Sequence, residues 1–309
     1  MNADPQPRAR RFGLGAAGRG RRPLVAPGGA LWHFIRSRLG VAAAVVVVLF
    51  ALAALLAPWL TPYADAGRGV PDLPIRLQEP SWSHWLGTDD LGRDVAARIL
   101  FGARTALWVA VGVVVLSVVI GVVVGAIAGY FGRWVDEILM RITDTFLAFP
   151  PLLLAVMVAA ALGASLRNTI IAIAISWWPW YARLVRSQVL SLRERSFVKA
   201  VRAIGVPHRR VITRHIVPNA MAPVWVQATA DLGAAVLTAA GLSFVGLGPR
   251  PPTADWGTMI AEGRQYVLSG QWWIAGFAGA VIVIVAMAFN LAGDVIRDVT
   301  DPRTRGDQQ

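Results

Sequence analysis

The sequence predicts an all-α integral membrane protein with six transmembrane helices. Three observations predict it. Apolar residues make up 56% of the 309 residues and the mean hydropathy is +0.54, too apolar for an ordinary soluble domain. Six apolar runs recur along the chain, and a helix needs about 20 such residues to cross the hydrocarbon. Basic residues gather in alternate segments between those runs, as topology signals do. A net charge of +12 would also suit a nucleic-acid binder. The arginines crowd beside apolar runs instead, so nucleic acid is not read as a partner.

Residues 1–30 are rich in Arg, Gly and Pro without periodicity and read as a disordered cytoplasmic tail. Gly13-Leu-Gly15-Ala-Ala-Gly18 is a literal G-x-G-x-x-G. No strand precedes it and its flanks are Arg-rich, so no nucleotide site is assigned there. The helical domain occupies residues 31–303, and residues 304–309 form a second cytoplasmic tail. The first run, Leu39–Leu60, follows a leader too long for a signal peptide and reads as a retained helix. The second and third are Ala106–Tyr130 and Phe146–Gly163. The fourth, Asn168–Ala182, is short and contains Pro179. Leu166 and the Trp177-Trp178-Pro179-Trp180-Tyr181 cluster extend it into the interface, where Trp and Tyr are favoured. The fifth and sixth are Ala220–Val245 and Trp272–Ala292. Prolines in segments 58–102 and 249–271 favour extended, water-facing backbone there.

Orientation follows from charge. With the N-terminus inside, 22 of the 30 Lys and Arg residues fall on the inner side. Both termini and the segment 183–219 are therefore expected in the cytoplasm, with 58–102 and 249–271 outside. The chain has no Cys, which excludes disulfides, thiolate metal sites and cysteine nucleophiles. Lys199 is the sole lysine and no Gly precedes it, so the phosphate loop G-x-x-x-x-G-K-[ST] is absent. If ATP drives this protein, another chain binds it. His33, His84, His208 and His215 lack metal-ligand spacing, and no cofactor is expected.

The segment Ser196–Asn219 carries seven basic residues, counting histidines, and no acid. It reads as two short helices with a sharp turn. Ser196 is expected to cap a helix from Phe197 to Ile204. Phe197, Val201 and Ile204 share a face by spacing, and Ala200 and Ala203 allow close approach. Gly205 suits the left-handed position that ends a helix. Pro207 opens a second helix, His208 to about Val217, which Pro218 breaks before the fifth span. Two readings stand side by side: a lever that grips a partner, or an amphipathic element lying on anionic lipid.

Asp231 lies mid-way along the fifth span, with Gln227 on the same face. A central Asp costs about 2.5–3.5 kcal/mol on insertion scales, so it should face either a translocation path or a helix or subunit contact. Asp294 is placed at the inner interface beside Arg297 as its pairing partner. Asp89, Asp90, Arg93 and Asp94 read as a water-facing turn that helps hold the outer loop or meets an external protein. Nothing resembles a nucleophile with its base, so this is not read as an enzyme.

The double helix resembles the cytoplasmic loop of ABC importer membrane subunits: Glu-Ala-Ala, three residues, Gly, nine residues, Ile, one residue, Leu-Pro. The pattern falls on Lys199-Ala200-Val201, Gly205, His215 and Val217-Pro218. Ala200, Gly205 and Pro218 agree. Lys199 stands in place of Glu, Val201 of Ala and His215 of Ile. His84-Trp-Leu-Gly-Thr-Asp-Asp-Leu-Gly-Arg-Asp-Val95, Gly102-Ala-Arg104, Leu242-Ser-Phe-Val-Gly-Leu-Gly248, Pro251-Pro-Thr-Ala-Asp-Trp-Gly257, Ala288-Phe-Asn-Leu-Ala-Gly-Asp294, Arg297-Asp298 and Asp301-Pro-Arg303 resemble the dipeptide/oligopeptide/nickel branch. Within it the chain looks like the second of two paired permeases over roughly residues 31–303.

The resemblance implies a type I importer permease fold in the bacterial inner membrane. It implies a heterodimer with a homologous permease, two ATPase subunits and an external solute-binding protein. Phe197, Lys199, Ala200, Val201, Ile204 and Gly205 would then meet the ATPase, and Gln227 and Asp231 would line the path or a subunit contact. Peptide is the expected solute; nickel, opines or another small solute would use the same machinery. A secondary transporter or channel would need no ATPase, and the basic unit would then bind lipid.

Overall fold

The structure, a computed structural model, describes residues 38–300, without the side chains of 38, 295, 296 and 298–300. The Arg-rich leader with its Gly13–Gly18 motif, His33, the side chain of Asp298 and residues 301–309 with the Asp301–Arg303 motif lie outside what is described. Among the described residues the secondary structure is helical, apart from a single backbone bridge between Thr88 and Asp94. The long helices are α1 (Arg38–Leu60), α3 (Val95–Phe131), α4 (Arg133–Leu147), α5 (Pro151–Leu162), α6 (Leu166–Arg193), α9 (Val217–Phe244) and α11 (Trp273–Thr300). Short helices are α2 (Ala64–Arg68), α7 (Ser196–Ala203), α8 (His208–Val211) and α10 (Trp256–Gly263).

Four helical segments are long and apolar enough to cross a membrane, or five if α4 and α5 form one broken span bent by 87°. The helix α6 is 28 residues long. It falls short of that apolar standard because its apolar stretch, residues 170–175, is bounded by Arg167 and Asn168 on one side and by the Trp177–Tyr181 cluster with Arg183 and Arg186 on the other. The expected six-span count thus rests on α6 crossing despite its charges.

Several boundaries differ from the sequence reading for identifiable reasons. Helix α3 begins at Val95 because Asp94 accepts a hydrogen bond from the Ala97 N–H at 2.7 Å and caps it. The stretch 131–142, between the second and third apolar runs, is mostly the amphipathic helix α4. Its Asp136 and Asp144 turn toward α6 and pair with Arg186 and Arg183, at 2.5 and 2.7 Å. Its Trp134, Ile138 and Ile142 are left exposed on the other side. The segment 249–271 is not simply extended either. Asp255 caps α10 by accepting from the Thr258 N–H at 2.9 Å. Burial pushes the Asp255 carboxyl above its usual range, against the opposing hydrogen bonds from Thr258.

Packing centres on α3 against α6. Gly121, Gly125 and Gly129 recur every four residues and form a stripe without side chains. A Cβ added at Gly125 would lie 2.4 Å from the Ala182 carbonyl oxygen, and one at Gly121 would lie 2.3 Å from the Tyr181 Cβ. In lipid, where burial of apolar surface brings helices together only weakly, such backbone approach is what holds them. Two cores result. One, at the end of the bundle that carries residues 61–94, gathers Phe50, Ala103, Val109, Trp256 and Trp273. The other, at the opposite end, gathers Tyr130, Tyr181, Val185 and Val189 with Val198, Val211 and Ile216. The second core therefore runs from the long helices directly into α7 and α8.

Candidate functional site

The basic double helix forms where the sequence places it, with a different construction. Ser196 is the first residue of α7 and does not cap it; Arg195 occupies that position without a side-chain hydrogen bond. The turn is as expected: Gly205 has φ +79°. Pro207 sits at the cap of α8. Pro218 does not break the chain before the fifth span. A wide turn over Ile212–Ile216 joins α8 to α9, and 208–244 runs as one helical segment. Pro218 lies in the first turn after that widening, where a missing donor costs least. The side-chain amide of Asn219 donates to the His215 carbonyl at 2.6 Å.

Spacing alone missed the residue that fixes this unit. Val198 is fully buried in the shared core. Val201 is half-buried against the same core, whereas Phe197 and Ile204 are exposed, Ile204 at 79%. Ala200, Ala203 and Lys199 are also exposed. Lys199 pairs with Glu194 at 3.1 Å in solvent, and that hydrogen bond lowers the Glu194 carboxyl pKa. The Tyr130 hydroxyl lies 2.7 Å from His208 Nδ1, and the Arg202 guanidinium lies 5.8 Å from the Tyr130 ring centre. Phe197, Ala200 and Ile204 thus face outward on an element whose Val198 enters the core shared by α3, α6 and α9.

The fifth-span carboxylate is also held as a built feature. The Tyr181 hydroxyl donates to Asp231 Oδ2 at 2.5 Å, and Gln227 Nε2 donates to Oδ1 at 2.8 Å. The Gln227 contact follows from i, i+4 spacing. Tyr181 is 50 positions away on α6 and no sequence pattern reaches it. Asp231 and Gln227 open onto a cleft of about 680 Å³ walled by Trp177, Trp180 and Tyr181. A second recess shares Leu184 and Gln227 and continues to Asp294 and Arg297. Those two residues form no ion pair within the recess, contrary to expectation. Both are exposed, and an exposed pair gains only about 0–1 kcal/mol, too little to hold two mobile side chains together.

The polar motif at the other end is buried, and it is not a water-facing turn. Asp89 accepts from the Arg93 N–H and from Arg93 Nε at 2.9 and 2.6 Å. Arg93 reaches Glu262 on α10 at 3.0 Å. His84 Nδ1 meets Asp94 at 2.9 Å, and Trp273 Nε1 donates to the Thr88 carbonyl at 3.1 Å. Arg98 is buried beside them, 3.8 Å from Asp89. The knot ties residues 84–98 to α10 and α11. The buried acids Asp89 and Asp94 are matched by donors, which is how charges tolerate burial, whereas Arg98 Nε and Nη1 have no acceptor within hydrogen-bond distance among the described residues.

Residues 121–306 match the family described as binding-protein-dependent transport system inner membrane component. Residues 28–80 match the N-terminal transmembrane domain of oligopeptide transport permease C. The dipeptide transport system permease protein DppC of Alkalihalophilus pseudofirmus is 44% identical over 87% of this chain and 88% of its own length. The probable D,D-dipeptide transport system permease protein DdpC of Escherichia coli is 43% identical over 90% of this chain and 92% of its own. The nickel transport system permease protein NikC of Escherichia coli is 43% identical over 87% and 96%.

Proposed function

The chain belongs to the family of binding-protein-dependent transport system inner membrane components, and from that premise we propose that it is the permease half of a peptide importer. It is a multi-pass membrane transport subunit, and in this family separate ATPase chains hydrolyse ATP. Our reading pairs it with a homologous permease, two ATPase subunits and an external solute-binding protein. Both termini and 183–219 face the cytoplasm in this reading, supported by the basic-residue asymmetry.

One observation carries the mechanism: the exposed patch of Phe197, Ala200 and Ile204 stands on the same core as the inner ends of α3, α6 and α9. Closure of an ATPase pair against that patch would move those helices as a unit and switch access to the Asp231 cleft. Each state must differ in its contacts with the ATPase for coupling to result.

The dipeptide relatives favour di- or oligopeptide as the solute. The nickel relative is nearly as similar and supports a second reading, in which the same machinery moves that ion. Purified alone, the chain is expected to show no ATPase activity and no uptake. The complex with both ATPases, the sister permease and the binding protein is expected to import labelled dipeptide in proteoliposomes. Nickel uptake without dipeptide uptake would move the assignment to the second reading, and ATP hydrolysis by the single chain would overturn the first.

Topology is tested independently, since the chain has no cysteine background. Arg209→Cys should react with an impermeant thiol reagent only in inverted vesicles, and Asp72→Cys in whole cells. Labelling of position 209 from outside would reverse the orientation.

A further inference from the structure

The cleft between α6 and α9 combines three features that bear on what passes through it. Its carboxylate, Asp231, has no cation within ion-pair distance among the described residues; its two partners, Tyr181 and Gln227, are neutral donors. The one basic group in the wall, Arg183, is already held by Asp144 at 2.7 Å. The rest of the wall includes Trp177, Trp180 and Tyr181, whose ring faces attract cations. An isolated negative charge at mid-span is costly unless something positive compensates it. The hydrogen bonds fix its direction and leave its charge unmatched.

We propose that this cleft is a cation-accepting station in the translocation path, in which Asp231 takes a primary ammonium group, such as the amino terminus of a passing peptide, between the indoles of Trp177 and Trp180. The proposal deepens the permease reading and rests on it. A volume of about 680 Å³ lies within the range of small-molecule sites. A single carboxylate with neutral neighbours makes a weak site, which suits a path that must release what it receives. The alternative source of compensation is a Lys or Arg of a neighbouring subunit, and the experiment separates the two.

Ala234 lines the same cleft three residues from Asp231. Ala234→Cys in the assembled complex is reacted with 2-aminoethyl methanethiosulfonate or 2-sulfonatoethyl methanethiosulfonate. Each rate is read from the mass shift of this chain and normalised to a small free thiol. The cationic reagent should be favoured roughly tenfold, as expected for one carboxylate acting across a poorly screened cleft. The preference should vanish in Asp231→Asn, whose amide can keep both hydrogen bonds if Gln227 flips. Leu184→Cys, in the same wall, repeats the measurement if Ala234→Cys does not assemble.

In parallel, dipeptide uptake should fall at least tenfold in Asp231→Asn and recover in Asp231→Glu, with the complex assembling normally. No cationic preference, or a thiol shielded from both reagents, would overturn the proposal and point to a subunit ion pair. Unchanged dipeptide uptake in Asp231→Asn would overturn it too. If the cationic preference holds but the native complex imports no dipeptide, the peptide assignment fails while the cation-accepting cleft stands.

Discussion

Gly125→Leu should remove this protein from the membrane as a folded subunit. The reason lies in the closeness of α3 to α6. Even the first carbon of a side chain at Gly125 would sit 2.4 Å from the Ala182 carbonyl oxygen and 2.9 Å from the Val185 Cβ. The first obstacle is backbone within a helix and cannot rotate away. Overpacking a well-packed core costs about 1–3 kcal/mol where neighbours can adjust, and more is expected where they cannot. Relief requires the two helices to separate, which opens the core formed by Tyr130, Tyr181, Val185, Val189 and Val198. The expected outcome is loss of the monodisperse complex in size-exclusion chromatography, with uptake at background. Gly241→Ala is the control, because its Cβ would meet nothing within 4 Å and it sits within helix α9. Its assembly should equal that of the native chain. A Gly125→Leu variant that assembles at native levels would show that α3 and α6 do not need this contact.

That glycine stripe also shows where sequence reading stopped. Apolar runs mark the longest spans, because lipid demands long apolar helices: the expected Leu39–Leu60 became Arg38–Leu60, and Ala220–Val245 became Val217–Phe244, whereas the expected Phe146–Gly163 became the twelve-residue Pro151–Leu162 after an 87° bend. Gly205 was legible because a left-handed turn between helices has few other solutions. The stripe Gly121, Gly125, Gly129 was present as small residues at four-residue spacing, a signal that could have been used and was not. Val198 was harder to find. Spacing shows that Phe197, Val201 and Ile204 share a face, but which residue turns inward is set by the core it meets, through Tyr130 and Val189. The buried state of Asp89, Arg93 and Asp94 was unreadable for the same reason, since Glu262 is 169 positions from Arg93. Likewise the i, i+4 pair Gln227 and Asp231 was visible and its Tyr181 partner was not.

The second large effect concerns coupling. Gly205 has φ +79°, and an added Cβ there would meet nothing within 4 Å. Within this chain, then, a substitution is opposed by backbone conformation and not by crowding. A residue that avoids positive φ pays roughly 1–2 kcal/mol to stay, or turns the peptide and re-aims α7. Because Val198 anchors one side of α7, re-aiming displaces the exposed patch of Phe197, Ala200 and Ile204. Gly205→Val is therefore expected to lower solute uptake at least tenfold at matched permease levels, while insertion and solute binding by the external protein are unchanged. Gly205→Asn should retain most uptake, since Asn tolerates the left-handed conformation. A unit that merely rests on lipid would predict only a modest loss for both variants, because a tilted surface helix still meets headgroups. The ATPase rate of the reconstituted complex separates the cases. In the lever reading, Gly205→Val no longer responds to the loaded binding protein, although the ATPases themselves are intact. Near-normal uptake by Gly205→Val would refute the lever and favour the surface helix.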